Sequence, residues 1–320
     1  MMIDRNSKNI SFPAQFGILI GLIGGGMVLG GFISVGVWMG MTGNSILSMQ
    51  TDMLNPKYFN EIMWIQVIST FFMFFLPVYF FALICYRNAS KFIGFNTNIN
   101  FKQIALVLAI LALTFPLSGA LAELNKLIPI PKNWEIYFKA KEAERAAQEA
   151  ALININSFSR YILSMVVIAL LPAIFEEVCF RGGIQNILTR WFKGPWIAII
   201  LTSIIFSAIH ISYYGFLVRL ILGVILGLVF YYSGSLWLAI LVHFLYNGLQ
   251  VTVLYLSTIS PDKTPKDIEK SFPLWIGIMA LVIIIYAFIH FRKISLLQQE
   301  KYIMPEEDPN DFHNWITKES

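Results

Sequence analysis

Long apolar runs constrain the fold of this chain more than any other feature of its sequence. A helix that crosses a bilayer needs about 20 apolar residues, and about eight runs are candidates. They cover residues 14–41, 62–86, 102–128, 159–179, 195–211, 216–233, 235–257 and 274–291. Only 13% of the residues are charged, too few to cover a water-facing surface. The sequence therefore predicts an all-α protein, a polytopic membrane helical bundle with about eight transmembrane helices.

The runs divide the chain into three predicted regions. Residues 1–158 would form N-terminal transmembrane helices and a surface helix near 134–151, residues 159–257 a helical core, and residues 258–320 the last span and a polar tail. The stretch 134–151 alternates charged residues with alanine after an aromatic start, a pattern that favours a helix at the membrane surface. A lid or substrate gate and an inert connector are both open interpretations of this helix.

Basic residues predict how the bundle is oriented. An even number of spans places both termini on one side of the membrane. Eight basic residues would share that side: Arg5, Lys8, Arg87, Lys91, Arg190, Lys193, Arg292 and Lys293. Positive charge favours the cytoplasmic face, so we expect an integral cell-membrane protein with cytoplasmic termini. The basic segment 132–160 falls on the opposite side, against this rule.

Glycines in the first apolar run predict close helix packing. Four-residue spacing joins Gly17, Gly21 and Gly25, and Gly26 and Gly30 follow. Small residues at this spacing let two helices approach closely in lipid. A nucleotide-binding loop would need a preceding strand and a soluble context. The formal net charge of +4 is small, and we expect no nucleic-acid partner.

Charged residues inside an apolar run are costly in a bilayer and indicate function. Glu176, Glu177 and Arg181 occur together in the run PAIFEEVCFRGG. Their spacing places Glu177 and Arg181 on one helical face, where they can pair. Glu176 then points in a different direction. A buried carboxylate of this kind is a suitable general base near neutral pH.

Two further polar pairs lie in the following runs. His210 follows Phe206 by four residues in IIFSAIH, and Asn247 follows His243 by four residues in LVHFLYNG. A lone histidine in an apolar helix is usually a satisfied core residue. Here two imidazoles, an amide and an acid together offer the base, the polarised water and the oxyanion donor that hydrolysis needs.

Helical rise allows these groups to meet. At about 1.5 Å per residue, Glu176 and His210 each lie roughly 20 Å from the boundary between the fourth and fifth spans. His243 and Asn247 lie roughly 12 and 18 Å from the same side of the bilayer. Antiparallel neighbouring helices would therefore bring the four groups to similar depths.

The three motifs together resemble those of a known family. EEVCFR at 176–181, FSAIH at 206–210 and HFLYN at 243–247 are similar to the acidic, FxxxH and HxxxN motifs of the CPBP family. That family includes the type II CAAX prenyl endopeptidases and bacterial Abi-like or bacteriocin-processing relatives. Each motif alone is weak, but their order and spacing agree. The resemblance makes residues 159–257 an expected CPBP/Abi-like catalytic core.

The resemblance implies an intramembrane endopeptidase, a hydrolase. In that family pattern, Glu176 and His210 activate a water, and His243 and Asn247 stabilise the oxyanion of the tetrahedral intermediate.

Other residues of the motifs would support these groups. Glu177 and Arg181 would shape and hold the site by charge pairing, and Phe206 would pack beneath His210. Cys179, next to the acidic motif, is a candidate thiol nucleophile, although a small buried apolar side chain is the more usual role.

A metal-dependent version of the mechanism uses the same residues. Members of the family are often labelled metalloproteases, and Glu176, His210 and His243 would leave an open position on a divalent metal such as Zn. The chain has no HExxH sequence, and a metal-free glutamate mechanism fits equally. Both versions stay open.

Two other classes of function are open: a non-proteolytic membrane immunity or binding protein, and an ion-coupled transporter. A transporter is expected to show a repeat with broken helices, and the sequence shows no such repeat. For the protease, the expected partners are the lipid bilayer and a peptide or small membrane-protein substrate. A peptide pheromone or bacteriocin precursor from a bacterium fits on family analogy alone.

Overall fold

The computed structural model describes residues 7–152, 155, 157–259 and 272–300. Regular secondary structure among these residues is entirely helical. The helices are α1 Phe12–Thr42, α2 Ile46–Asp52, α3 Pro56–Cys85, α4 Ala89–Ile93, α5 Phe101–Leu127, α6 Lys132–Leu152, α7 Phe158–Phe192, α8 Pro195–Ala208, α9 Phe216–Ser233, α10 Leu236–Ile259 and α11 Leu274–Glu300.

Seven helices are long and apolar enough to cross a membrane, namely α1, α3, α5, α7, α9, α10 and α11. The predicted all-α polytopic bundle is therefore confirmed. The stretch 134–151 is helical, as part of α6, and its location at the membrane surface stays a prediction. The polar tail after Met304 lies outside the described residues. The division of the chain into three regions stays a prediction.

The predicted span 195–211 is shorter than expected. Helix α8 has 14 residues, so it rises about 21 Å, less than the hydrocarbon thickness of about 30 Å. A turn follows Ala208, and in it Ile211 has a positive φ of 48°, which a right-handed helix cannot contain. His210 consequently lies in this turn, and its predicted position within a transmembrane helix is wrong.

Both described ends of the chain lie at the same end of the bundle. The Lys8 N–H donates to the Cys85 carbonyl at 2.8 Å, and the Asn100 side chain donates to Gln298 at 3.5 Å. Residues 86–100 form the short connection between α3 and α5. The seven long apolar helices and the shorter α8 make eight segments in the described chain, an even number, as two ends at one side require. The cytoplasmic location of that side stays a prediction.

Close packing in α1 involves only part of the predicted glycine series. A Cβ atom at Gly26 would lie 2.1 Å from the Phe72 carbonyl oxygen, and one at Gly30 would lie 2.7 Å from the Phe72 Cβ. Within the described residues, no neighbour comes within 4 Å of a Cβ at three other glycines, Gly17, Gly21 and Gly25. Consecutive helical residues point about 100° apart, so the two glycine rows cannot both face α3. The packing prediction is wrong for the first row.

Helix α7 carries the acidic motif through the middle of the bundle. It packs against α3, α8, α9 and α10. Two π-helical segments, Met165–Leu170 and Val178–Gln185, interrupt its regular hydrogen bonding, and every residue of the second segment is buried. Such segments are frequent at functional sites. Here the second one begins directly after Glu177.

The contact between α1 and α3 gives a first testable prediction. We expect Gly26→Ala to destabilise the protein by about 1–3 kcal/mol, because the added methyl group overlaps backbone atoms of α3. Gly21→Ala is the matched control, and we expect it to be neutral or slightly stabilising through helix propensity. Thermal unfolding in detergent measures both. Equal unfolding temperatures for the two variants would contradict the packing described.

Candidate functional site

Glu177 and Arg181 form a buried ion pair on α7. Arg181 Nη1 donates to Glu177 Oε1 at 2.5 Å, and neither side chain is exposed. The four-residue spacing predicts this contact. Removing either partner would leave a buried charge without compensation, which is strongly unfavourable. The pair is therefore a structural requirement of this region.

His243 of α10 joins the ion pair through the same carboxylate oxygen. Its Nδ1 donates to Glu177 Oε1 at 2.7 Å. A carboxylate paired with arginine only accepts, so the proton in this contact is on Nδ1. The other ring nitrogen, Nε2, lies 3.8 Å from Glu176 Oε2. The sequence did not indicate the hydrogen bond between Glu177 and His243.

The two adjacent glutamates have different surroundings. Glu177 is fully buried, whereas 14% of the Glu176 side chain is exposed. The distance from Glu176 to His243 Nε2 is too long for a direct hydrogen bond. Glu176 is thus the carboxylate that a water or a substrate can reach.

Two polar side chains fasten α7 to α9. Arg181 Nη2 donates to the Gly223 carbonyl at 3.1 Å, and Gln185 Nε2 donates to the Gly227 carbonyl at 3.0 Å. A Cβ atom at Gly227 would lie 2.8 Å from Gln185 Oε1 and 3.0 Å from an Ile199 methyl carbon, so a larger residue would require these side chains to shift. Sequence reasoning missed Gln185. Two pairs at the same four-residue spacing were the available signal: the polar pair Arg181 and Gln185 on α7, and the glycine pair Gly223 and Gly227 on α9.

Phe206 of α8 lies at the centre of the site. Its ring centroid is 5.0 Å from the Arg181 guanidinium carbon, 5.2 Å from the His210 ring and 6.0 Å from the His243 ring. The guanidinium contact has cation–π geometry. Phe206 therefore contacts both imidazoles and the guanidinium group.

His210 stands apart from the buried cluster. Its Nδ1 donates to the Phe206 carbonyl at 2.8 Å, which leaves Nε2 as the ring nitrogen for other contacts. The guanidinium groups of Arg145 in α6 and Arg219 in α9 are within electrostatic range of the ring. Within the described chain, His210 makes no hydrogen bond or ion pair with Glu176.

Asn247 follows on the helix that carries His243. It lies one turn further along α10 and is half-buried. The structure thus brings Glu176, Glu177, Arg181 and His243 into one cluster, with Asn247 one turn away on the same helix.

The proposed metal ligands do not converge in this arrangement. Among the residues described, no three His, Cys, Asp or Glu side chains are close enough to bind one ion. His210 and His243 each hold Nδ1 in a hydrogen bond and present Nε2, as metal-binding histidines do. The donor types therefore suit a metal, but the positions of Glu176, His210 and His243 do not. Metal dependence stays a prediction.

Cys179 does not have the surroundings of a catalytic thiol. Neither cysteine forms a disulfide in the described structure and both are buried, and Cys179 is 1% exposed. Reactive thiols lie in partly exposed sites. A packing role fits this residue better than a nucleophilic one.

Comparison with known proteins supports the family resemblance. Residues 158–249 match the family model of the type II CAAX prenyl endopeptidase Rce1-like proteins. An uncharacterized protein, YpbD of Bacillus subtilis (strain 168), is 29% identical over 123 residues, which are 37% of this chain and 60% of that relative. The match thus spans less than two thirds of the relative. No solved structure matches the chain.

The matched segment runs from the start of α7 into α10 and contains all three motifs. The predicted CPBP resemblance is therefore confirmed over residues 158–249, which are similar to the type II CAAX prenyl endopeptidase Rce1-like family. With seven apolar helices, the chain is an integral membrane protein.

The buried ion pair gives a second prediction. We expect Arg181→Met to destabilise the protein by about 3–5 kcal/mol, because Glu177 is left buried without its cation. The double variant Arg181→Met with Glu177→Gln should recover part of that loss. Thermal unfolding in detergent measures each variant.

Its control is an ion pair of similar geometry on the surface. Lys139 and Glu135 of α6 lie 2.6 Å apart, but 63% and 42% of their side chains are exposed. Lys139→Met should change stability little, since exposed pairs contribute little. Additive losses in the double variant at Glu177 and Arg181 would show that the two groups do not interact.

Proposed function

We propose that this protein is an intramembrane endopeptidase that hydrolyses a peptide bond within or close to the membrane. One observation carries the proposal: the partly exposed carboxylate of Glu176 lies 3.8 Å from His243 Nε2, at the edge of a buried charged cluster. The match to a family of prenyl endopeptidases over this segment agrees with it. Peptide hydrolysis uses a base and a donor held side by side in this way.

A water is the proposed nucleophile. The separation between Glu176 and His243 exceeds a hydrogen bond, and a water off the line between them can contact both at about 2.8 Å. Glu176 takes a proton from this water as the water oxygen bonds to the carbonyl carbon of the substrate peptide bond. The proton then passes to the leaving nitrogen as the C–N bond breaks.

His243 and Asn247 are the proposed donors to the oxyanion. The hydrogen bond to Glu177 fixes the orientation of the His243 ring, so its Nε2 is already directed toward Glu176. With His243 protonated, the two glutamates, Arg181 and His243 sum to zero charge, which suits a buried site. A donor placed in advance stabilises developing charge without reorganisation.

His210 is proposed to assist in activating the water. In the described chain His210 contacts Phe206 and makes no hydrogen bond or ion pair with Glu176, so this role requires the turn to approach Glu176 when a substrate binds. Catalytic contacts are often long without substrate and shorten in the complex. Burial, together with the positive charges of Arg219 and Arg145 nearby, lowers the pKa of His210 and so favours the neutral form that can accept a proton.

The proposed substrate is a peptide or a small membrane protein that reaches the site from the bilayer. A peptide pheromone or a bacteriocin precursor fits this class, on analogy with the family. Helix α6 lies beside the turn that carries His210: Phe138 stacks on Tyr213 with ring centroids 5.5 Å apart. This position is consistent with a role as a lid or gate.

The assignment of the base gives a third prediction. We expect Glu176→Gln to lower hydrolysis at least about 100-fold, because the amide cannot accept the proton from water. Cleavage termini of the membrane proteome are compared between cells that express wild type and the variant at matched levels. Termini that vanish in the variant identify substrates, which purified protein must then cut.

Glu123→Gln is the control, since that carboxylate is exposed on α5 and lies 2.8 Å from Lys126. Identical termini in wild type and Glu176→Gln, with both proteins folded in the membrane, would refute the proposed function. The same purified samples address the metal. Full activity after chelation, with no metal by elemental analysis, would contradict metal dependence.

The oxyanion assignment gives a fourth prediction. We expect Asn247→Ala to lower kcat about 10²–10³-fold with KM little changed, because the lost donor acts in the transition state. Gln250→Ala, at an exposed position of the same helix, should leave both constants unchanged. His243→Ala should lower kcat and also stability, since Glu177 loses a donor. A change confined to KM would contradict the role of Asn247.

A further inference from the structure

The turn that carries His210 has a backbone conformation that its own sequence disfavours. Ile211, the next residue, has a positive φ of 48°, and a β-branched residue in this region is a genuine outlier. Such conformations persist only where the surrounding structure holds them in place. Contacts from outside the turn must therefore stabilise residues 209–215.

Asn125, in the last turn of α5, supplies two of these contacts. Its Nδ2 donates to the Tyr213 carbonyl at 2.9 Å, and its Oδ1 accepts from the Leu217 N–H at 3.1 Å. The side chain is 1% exposed. A single buried amide thus joins the end of the turn to the first turn of α9.

The start of α9 explains why an acceptor from another helix is needed. The first N–H groups of a helix have no partner within it and usually bind the side chain of the capping residue. The capping residue of α9 is Gly215, which has no side chain and makes no capping hydrogen bond. Asn125 Oδ1 replaces that missing acceptor at Leu217.

Other contacts involve side chains of the turn or come from the two helices that flank it. The Tyr213 hydroxyl donates to the Ile128 carbonyl at 2.8 Å, and the Tyr213 ring stacks on Phe138. Ser212 donates its hydroxyl to Glu142. The flanking helices also bind backbone carbonyls, from Arg219 to Ser212 at 3.0 Å and from Ser207 to Phe216 at 2.7 Å. Asn125 differs because it comes from a third helix and binds backbone groups on both sides of Gly215.

We propose that Asn125 is a positioning residue for His210. By fixing the turn between α8 and α9, it determines where the imidazole lies relative to Phe206 and the buried cluster. This inference rests on the proposed peptidase function, because the position of His210 affects turnover only if that side chain takes part.

The test compares Asn125→Ala with Gln103→Ala in the full-length purified protein. Gln103 is the matched control: it is an equally buried amide on the same helix, and it donates to Ser295 Oγ at 2.9 Å, at the opposite end of α5. Hydrogen–deuterium exchange of peptides that span residues 209–217 reports on the turn. Steady-state kinetics report on catalysis. The substrate is one that the wild type cuts and that Glu176→Gln leaves uncut.

We expect Asn125→Ala to speed exchange over residues 209–217 and to lower kcat, each by about tenfold or more, with KM nearly unchanged. Gln103→Ala should change neither, even if both variants lose similar thermal stability. Asn125→Asp keeps the size and the acceptor for Leu217 but loses the donor to Tyr213. If Asn125→Ala does not fold, this variant takes its place, with smaller changes in the same direction.

Two results would overturn the proposal. Unchanged exchange over residues 209–217 in the Asn125 variants would show that Asn125 does not hold the turn, whatever the activity. Faster exchange with a loss of kcat no larger than that of Gln103→Ala would show that the position of the turn does not matter for turnover. Failure of the proposed peptidase function gives a different result. In that case the wild type shows no cleavage that is lost in Glu176→Gln.

Discussion

The site depends on one buried carboxylate oxygen. Glu177 Oε1 accepts hydrogen bonds from both Arg181 and His243, and none of these groups can exchange its partner for water. A buried charge that loses its partner is strongly destabilising, so the contacts hold α7 and α10 in a fixed relation. Arg181 extends the constraint to α9 through the Gly223 carbonyl. The interactions that hold three helices together therefore also orient the catalytic imidazole of the proposed mechanism.

The pair of adjacent glutamates separates structural from chemical roles. Neighbouring residues on a helix point about 100° apart, so Glu177 faces the charged cluster while Glu176 retains some access to water. The π-helical segment that follows Glu177 is entirely buried and contains Arg181. Its glycines allow close packing: a Cβ at Gly182 would lie 2.8 Å from an Ile93 methyl carbon. A buried carboxylate that orients a histidine beside a reachable carboxylate is a plausible basis for hydrolysis inside a bilayer.

Much of the fold could be predicted because it follows from local apolar length. The predicted span 216–233 has the bounds of α9. Most ends of the other long helices lie within a few residues of the predicted ends. Prediction was wrong where a contact or a turn decided the outcome. Helix α8 ends early at the turn that contains Ile211. In α1, the row of Gly26 and Gly30 faces a neighbour, since the rotation of that helix is set by its contact with Phe72.

Sequence alone determined the membrane class, the helical architecture, the three motifs and the pairing of Glu177 with Arg181, because each depends on apolar length or on spacing within one helix. Only the tertiary structure decided that Glu177 also binds His243, 66 residues away, and that Asn125 holds Leu217, 92 residues away. It also decided that His210 lies in a turn and that Phe206 contacts both imidazoles. Such contacts depend on how each helix is rotated about its axis. Packing against all of its neighbours sets that rotation, and no local pattern records it.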